Sequence, residues 1–214
     1  MTGFYGMTLF ATLFGNFDSI STYTAQLVVG GDPRRINQLL RQAIITSLIL
    51  LIGIVVPCSF LLPGLMRSFA VSEEVIALTL SLTSLMYASM LLRTVGDSMR
   101  GMLQGMGYMT SLGFANLLNI AFFIPYSTYL MTSMDDPLTA YTLSLTIYET
   151  LGLLQCFFFY FFVLDQKYRD LTFPSFDKYG WYFWETLKTI MASCYSWVAY
   201  EAIMLILTMT HSPI

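Results

Sequence analysis

Residues 43–66 read AIITSLILLIGIVVPCSFLLPGLM, an apolar run without a single charged side chain. About 20 mostly apolar residues are enough for a helix to cross a bilayer, so this stretch sets the solvent in which the whole chain must be read. Pro57 and Pro63 within it predict a kink or an early end rather than a break. The composition agrees. Of 214 residues, 56% are hydrophobic and 11% are charged, and the mean hydropathy is +0.66, whereas a soluble domain carries roughly 25% charged residues. The expected fold is all-α, a multi-pass membrane helix bundle.

Outward from this window, five others are long and apolar enough to qualify: 4–29, 75–95, 108–131, 138–164 and 185–209. They predict six spans in a single membrane domain covering 1–214. Windows 4–29 and 75–95 are rich in Thr, Ser and Tyr, which suits contact with other helices or a water-filled cavity better than contact with lipid. Between the last two windows, residues 165–184 mix charges with Trp181, Tyr182, Phe183 and Trp184, a composition suited to the headgroup layer. That segment is expected to be an interfacial connector. The first residues, MTGFYGMTLFATLFG, have no basic n-region and no cleavage site, so a removable signal is not expected.

The basic residues assign sides. Arg34, Arg35 and Arg41 follow the first window, Arg93 and Arg100 the third, and Lys167, Arg169, Lys178 and Lys188 the fifth. Only Arg67 falls on the other side, and the loop after 108–131 carries Asp135 and Asp136 with no base. Cytoplasmic loops collect Lys and Arg, so both chain ends are expected on the non-cytoplasmic side.

Several function classes drop out. The net charge of -3 comes with no basic cluster for nucleic acid to meet. Membrane lipids and other membrane chains are the expected partners. Cys58, Cys156 and Cys194 are odd in number, far apart and set in apolar runs, which reads as packing rather than disulfides or metal ligation. His211 stands alone, so neither a metal site nor any cofactor is expected. No Ser-His-Asp, Cys-His or paired-carboxylate arrangement has catalytic spacing, which disfavours an enzyme.

Three acids fall at membrane depth, where an ionisable side chain is a functional candidate by default. Glu201 interrupts SCYSWVAYEAIMLIL (193–207). Asp18 sits among Asn16, Ser19, Ser21 and Thr22, which predicts a hydrated or hydrogen-bonded niche. Glu149, in LTIYETLGLLQ, reads as bonded to a neighbouring helix or another protein. Smaller signals are the Gly101/Gly105 pair, expected to mark close internal packing; Gly30-Gly31-Asp32-Pro33, a helix stop and turn; and Phe157 to Phe162, bulk facing lipid or the interface.

Three segments carry a family resemblance. AQLVVGGDPRRINQLLRQAII (Ala25 to Ile45) is similar to an SQAYGAGD…LQRA stretch, MRGMLQGMGYMTSLGFANLLN (Met99 to Asn119) to LRRFLQAQG…LLN, and CYSWVAYE (Cys194 to Glu201) to CMEWWAYE, all in the same order in the multidrug and toxin extrusion (MATE) transporters. The resemblance implies spans two to seven of a fold of about twelve spans, built as two six-helix lobes with the binding cavity between them. A chain starting at the second span would start outside, as the basic residues also indicate.

The implied function is secondary transport, the antiport of organic cations or xenobiotics against a cation gradient, here in a partial chain. The alternative is a non-transporting structural subunit of a larger membrane complex, derived from such a transporter. Glu201 falls on the last Glu of CMEWWAYE and is expected, with Asp18, to couple protons or cations. The family's own acid in its DTL-type stretch falls near Ser21, so Asp18 rests on its polar neighbours alone. Ser196 replaces the first Glu of the motif, and Phe123 stands where the family usually repeats an Asn after Asn119. Trp197, Tyr200, Ser196 and Gln26 are expected to line the cavity.

Overall fold

The computed structural model describes residues 18–68, 72–169 and 176–192, with positions 195 and 199. The described chain is built from helices. They are α1 (18–29), α2 (Pro33–Leu50), α3 (Val56–Ser68), α4 (Glu73–Gly105), α5 (Met109–Ser133), α6 (Pro137–Phe158) and α7 (179–192). A π-turn at Leu51–Val55 joins α2 to α3, and a second, Phe159–Val163, extends α6. Pro33–Gly53, Met109–Ser133 and Pro137–Val163 are long and apolar enough to cross a membrane. A fourth candidate is the bent pair Glu73–Thr83 and Leu85–Gly105. The molecule is an all-α membrane helix bundle.

The helix ends follow from local chemistry. After α1, Gly31 takes a left-handed φ of 69°. That lets its N–H reach the Val28 carbonyl and lets the Asp32 N–H reach that of Leu27, the double closure that satisfies carbonyls a helix end leaves open. Gly107, at φ 94°, closes α4 in the same way through Gln104 and Leu103. Asp32 then caps α2 by accepting from the Arg35 N–H at 3.2 Å. Pro33 at the first helical position loses nothing by lacking an N–H.

Asp136 and Pro137 repeat the device at α6. The Asp136 carboxylate accepts from the Leu138 N–H at 3.1 Å and from the Thr139 hydroxyl at 2.5 Å. The Thr139 hydroxyl holds the Asp136 carboxyl below the ordinary value of 3.8, helped by backbone N–H groups. A depressed carboxyl stabilises the fold above its unfolded value, and that contribution is lost as pH falls through the folded value. Wild type should therefore melt above Asp136→Ala at pH 7, and the gap between them should close as pH falls well below 3.8.

Pro57 and Pro63 do not end the second window. The helical run enters at Pro33, ten residues before the window, and continues to Ser68. Pro57 has no N–H for the Gly53 carbonyl, and the π-turn just before it absorbs the misfit by widening the helix. The earlier start has a different cause: Asn37 and Gln42 turn inward and are buried, so this part of α2 is polar in composition yet packed along its inner face.

α4 has 33 residues, about 50 Å of helix against a hydrocarbon thickness of about 30 Å. It bends by 45° between Thr83 and Leu85. The hydroxyls of Thr79, Ser81 and Thr83 donate back to carbonyls three or four residues earlier, a contact that bends helices. Arg93 and Arg100 both lie on this helix, which runs ten residues past the window end expected at 95. The connector also begins its helix early: Gln166–Tyr168 form a short 3-10 turn and α7 starts at residue 179.

The main core gathers Ile20, Ile36, Leu40, Met102, Leu103 and Tyr182 where α1, α2, α4 and α7 meet, with Cys156 and Tyr160 arriving from α6 and its extension. Inside it the Tyr160 hydroxyl donates to Asn37 Oδ1 at 3.0 Å.

Candidate functional site

Of the residues singled out in the sequence, Glu201, Ser196, Trp197 and Tyr200 lie outside the described residues. Asp18 and Gln26 are both on α1 and both exposed, eight positions or about 12 Å apart. Gln26 lines a cleft of about 590 Å³ between α1, the start of α2 and the turn before α7, and Asp18 is not among the residues lining it. The structure does not bring the two together.

It does bring together four charges that sequence reasoning kept apart. Arg93, Asp97 and Arg100 occupy one face of α4, and Glu149 meets them from α6. Asp97 accepts from Arg93 Nε at 3.3 Å and from Arg100 Nη1 at 2.5 Å. Glu149 lies 3.8 Å from Arg93 Nη1, close enough to attract but beyond hydrogen-bond reach. The carboxylates are well covered, 14% exposed for Asp97 and 12% for Glu149. Glu149 stands close to the midpoint of the 27-residue run Pro137–Val163. The expected partner on a neighbouring helix is therefore Arg93. The legible signal for the cluster was the i, i+4, i+7 spacing of 93, 97 and 100, which stacks three side chains on one helical face.

Two glycines lie at the contact between α4 and α6, and Gly152 is the tighter of them. A Cβ at Gly96 would touch the Leu153 backbone at 3.8 Å, and one at Gly152 would stand 3.2 Å from Arg100 Nη2. The Cys156 thiol donates to the Gly96 carbonyl across the same contact at 3.7 Å. From the other side, α5 is tied to α6 by polar groups. Tyr148 donates to Asn116 Oδ1 at 3.0 Å, Asn119 Nδ2 to the Tyr148 carbonyl at 3.1 Å, and Gln155 to the Ala115 carbonyl at 3.1 Å. Phe123 packs edge-on against Tyr126 and Tyr148, so it adds aromatic bulk to this layer and no hydrogen bond. Asn119 is 2% exposed, and its Oδ1 accepts no hydrogen bond among the described residues.

Chemically, each Asp97 oxygen accepts from one guanidinium group, while Glu149 makes one long ion-pair contact among the described residues and is the less committed acid. No group of three or more His, Cys, Asp or Glu side chains among the described residues could hold a metal ion. Over residues 3–120 the sequence matches the family model MatE. Neither a curated protein nor a solved structure matches it.

Proposed function

Because the chain belongs to the MatE family, a family of transporters, we propose that it works as a cation-coupled secondary transporter, exchanging organic cations or xenobiotics for protons or sodium ions. The observation that carries this reading is Glu149, a covered carboxylate near the middle of an apolar helix, whose ion-pair partner among the described residues is Arg93 at 3.8 Å. Intramembrane acids are expensive to keep and mark ion pathways. In this reading Glu149 exchanges Arg93 for an entering cation, and Asp97 holds both arginines in place while it does so. Glu201 and Asp18 are the further coupling acids, and Gln26, Ser196, Trp197 and Tyr200 line the path.

A second reading, the non-transporting structural subunit of a larger membrane complex, is favoured by the self-compensation of the same cluster. Two arginines and two carboxylates leave no net charge for a cation to answer. Uptake of a fluorescent organic cation into vesicles carrying the purified chain, under an imposed pH or sodium gradient, separates the two. Glu149→Gln and Glu201→Gln are each expected to lower the rate at least tenfold, with Asp136→Ala unchanged. No gradient-driven uptake by the wild type, together with a native mass far above 24.3 kDa from unrelated subunits, would select the structural reading.

A further inference from the structure

We infer that the cleft between α1, α2 and the turn before α7 binds a phosphate group, supplied by the headgroup of an anionic phospholipid. Three cations from separate parts of the sequence converge there: Arg34 and Arg35 from the first turn of α2, and Lys178 from the 176–178 turn. No ion pair holds any of them among the described residues. Like charges gathered on one cleft repel, and an anion bound among them removes that cost. Two carboxylates also line the cleft, Asp32 and Asp177. Asp32 is turned to its own helix, where Oδ1 accepts from the Arg35 N–H. The lining keeps an excess of one positive charge.

Lys178 is also held against its preference. It has a left-handed φ of 61°, the one non-glycine residue with positive φ among those described, and such backbone persists only where the surroundings enforce it. The enforcing contacts are on the page. Gln38 and Gln42 of α2 both donate to the Asp177 carbonyl, at 3.2 and 3.1 Å, and Thr46 donates to the Tyr179 hydroxyl at 3.3 Å. These three contacts pin the turn to α2, and Lys178 lines the same cleft as Arg34 and Arg35.

The ligand source follows from position. The cleft lies where the α1–α2 turn and the start of α7 reach the same end of the bundle, and Trp181 stands at its edge, 53% exposed and packed edge-on against Tyr23 at 4.9 Å. Half-exposed Trp at the end of a membrane bundle belongs in the headgroup layer, where lipid phosphate is the most abundant anion. Basic pockets between helices at that level suit anionic headgroups. The volume, about 590 Å³, is within the range of small-molecule sites.

The test is native mass spectrometry of the purified full chain with phosphatidylglycerol or phosphatidylcholine at equal concentration. The wild type is expected to retain phosphatidylglycerol in preference. Arg34→Gln/Arg35→Gln/Lys178→Gln should weaken retention about a hundredfold, roughly fivefold for each cation. Lys167→Gln/Lys188→Gln, which removes two cations that already pair with Asp165 and Glu185, should leave it unchanged. Lys178→Gly provides a variant that keeps the turn, because glycine accepts φ 61° without steric strain. It should melt no lower than wild type and still lose about fivefold in retention. Equal retention of the two lipids, or equal loss in the control variant, overturns the proposal. Displacement of phosphatidylglycerol by inorganic phosphate at millimolar concentration, dependent on the same three residues, overturns the lipid source.

Discussion

Gly105→Ala should lower the melting temperature of the purified protein by about 6–12 °C, while Gly113→Ala leaves it unchanged or raises it slightly. A Cβ at position 105 would lie 2.4 Å from the Ser21 carbonyl oxygen, 2.8 Å from Thr24 Cβ and 3.1 Å from the Ala25 nitrogen. Two of these three atoms are backbone, so no rotamer change relieves the clash and α1 must move off α4. Overpacking of this kind costs about 3 kcal/mol at the upper end of its usual range, which converts to that shift at roughly 2–4 °C per kcal/mol for a chain of this size. The displaced contact includes Thr24 and lies beside Ile20 and Met102 of the main core, so the damage spreads beyond one turn. Gly113 is the control, since a Cβ there meets nothing within 4 Å and alanine is the better helix former by about 1 kcal/mol. Equal melting temperatures for the two variants would show that α1 does not pack on α4 as described.

That contact also measures what the sequence disclosed. The Gly101/Gly105 spacing pointed to close packing but not to its partner, because a small residue advertises an approach and leaves open what approaches. The Gly30-Gly31-Asp32-Pro33 turn was fully legible, since each of its residues has a local reason to stop or start a helix. The apolar windows 108–131 and 138–164 coincide within two residues with the helices Met109–Ser133 and Pro137–Val163. Legibility failed where polar groups compensate each other in space. Asn37 and Gln42 made the start of α2 look like a loop, although both are buried and bonded. Arg93 and Arg100 looked like the end of a span because their counter-charges, one on the next turn and one on another helix, are not summed by any hydropathy window. Glu201 and its neighbours, the most conspicuous residues in the sequence, lie outside the described part of the chain, so their surroundings rest on the resemblance alone.

Asp97→Asn is expected to be as damaging as the glycine change, and for an electrostatic reason. The wild-type carboxylate answers two guanidinium groups at 2.5 and 3.3 Å, and the neutral amide would leave both arginines short of a counter-charge inside the bundle. Removing one member of a buried ion cluster costs about 3–5 kcal/mol. The arginines keep 32% and 30% of their side-chain surface, so partial solvation holds the loss near the lower figure. Glu149→Gln removes only the 3.8 Å contact and leaves Arg93 with Asp97, so its effect on melting should stay within about 1 kcal/mol. Asp97→Asn combined with Arg100→Gln should recover part of the loss, because the uncompensated cation leaves with its partner; a coupling of about 1–3 kcal/mol is expected for groups in direct contact. The asymmetry also separates the roles given to the two acids. If Glu149 carries the exchanged cation and Asp97 only holds the arginines, Glu149→Gln yields a stable protein that does not transport, whereas Asp97→Asn loses stability and transport together. A Glu149→Gln protein as unstable as Asp97→Asn would make Glu149 a structural member of the cluster and remove the observation on which the transport reading stands.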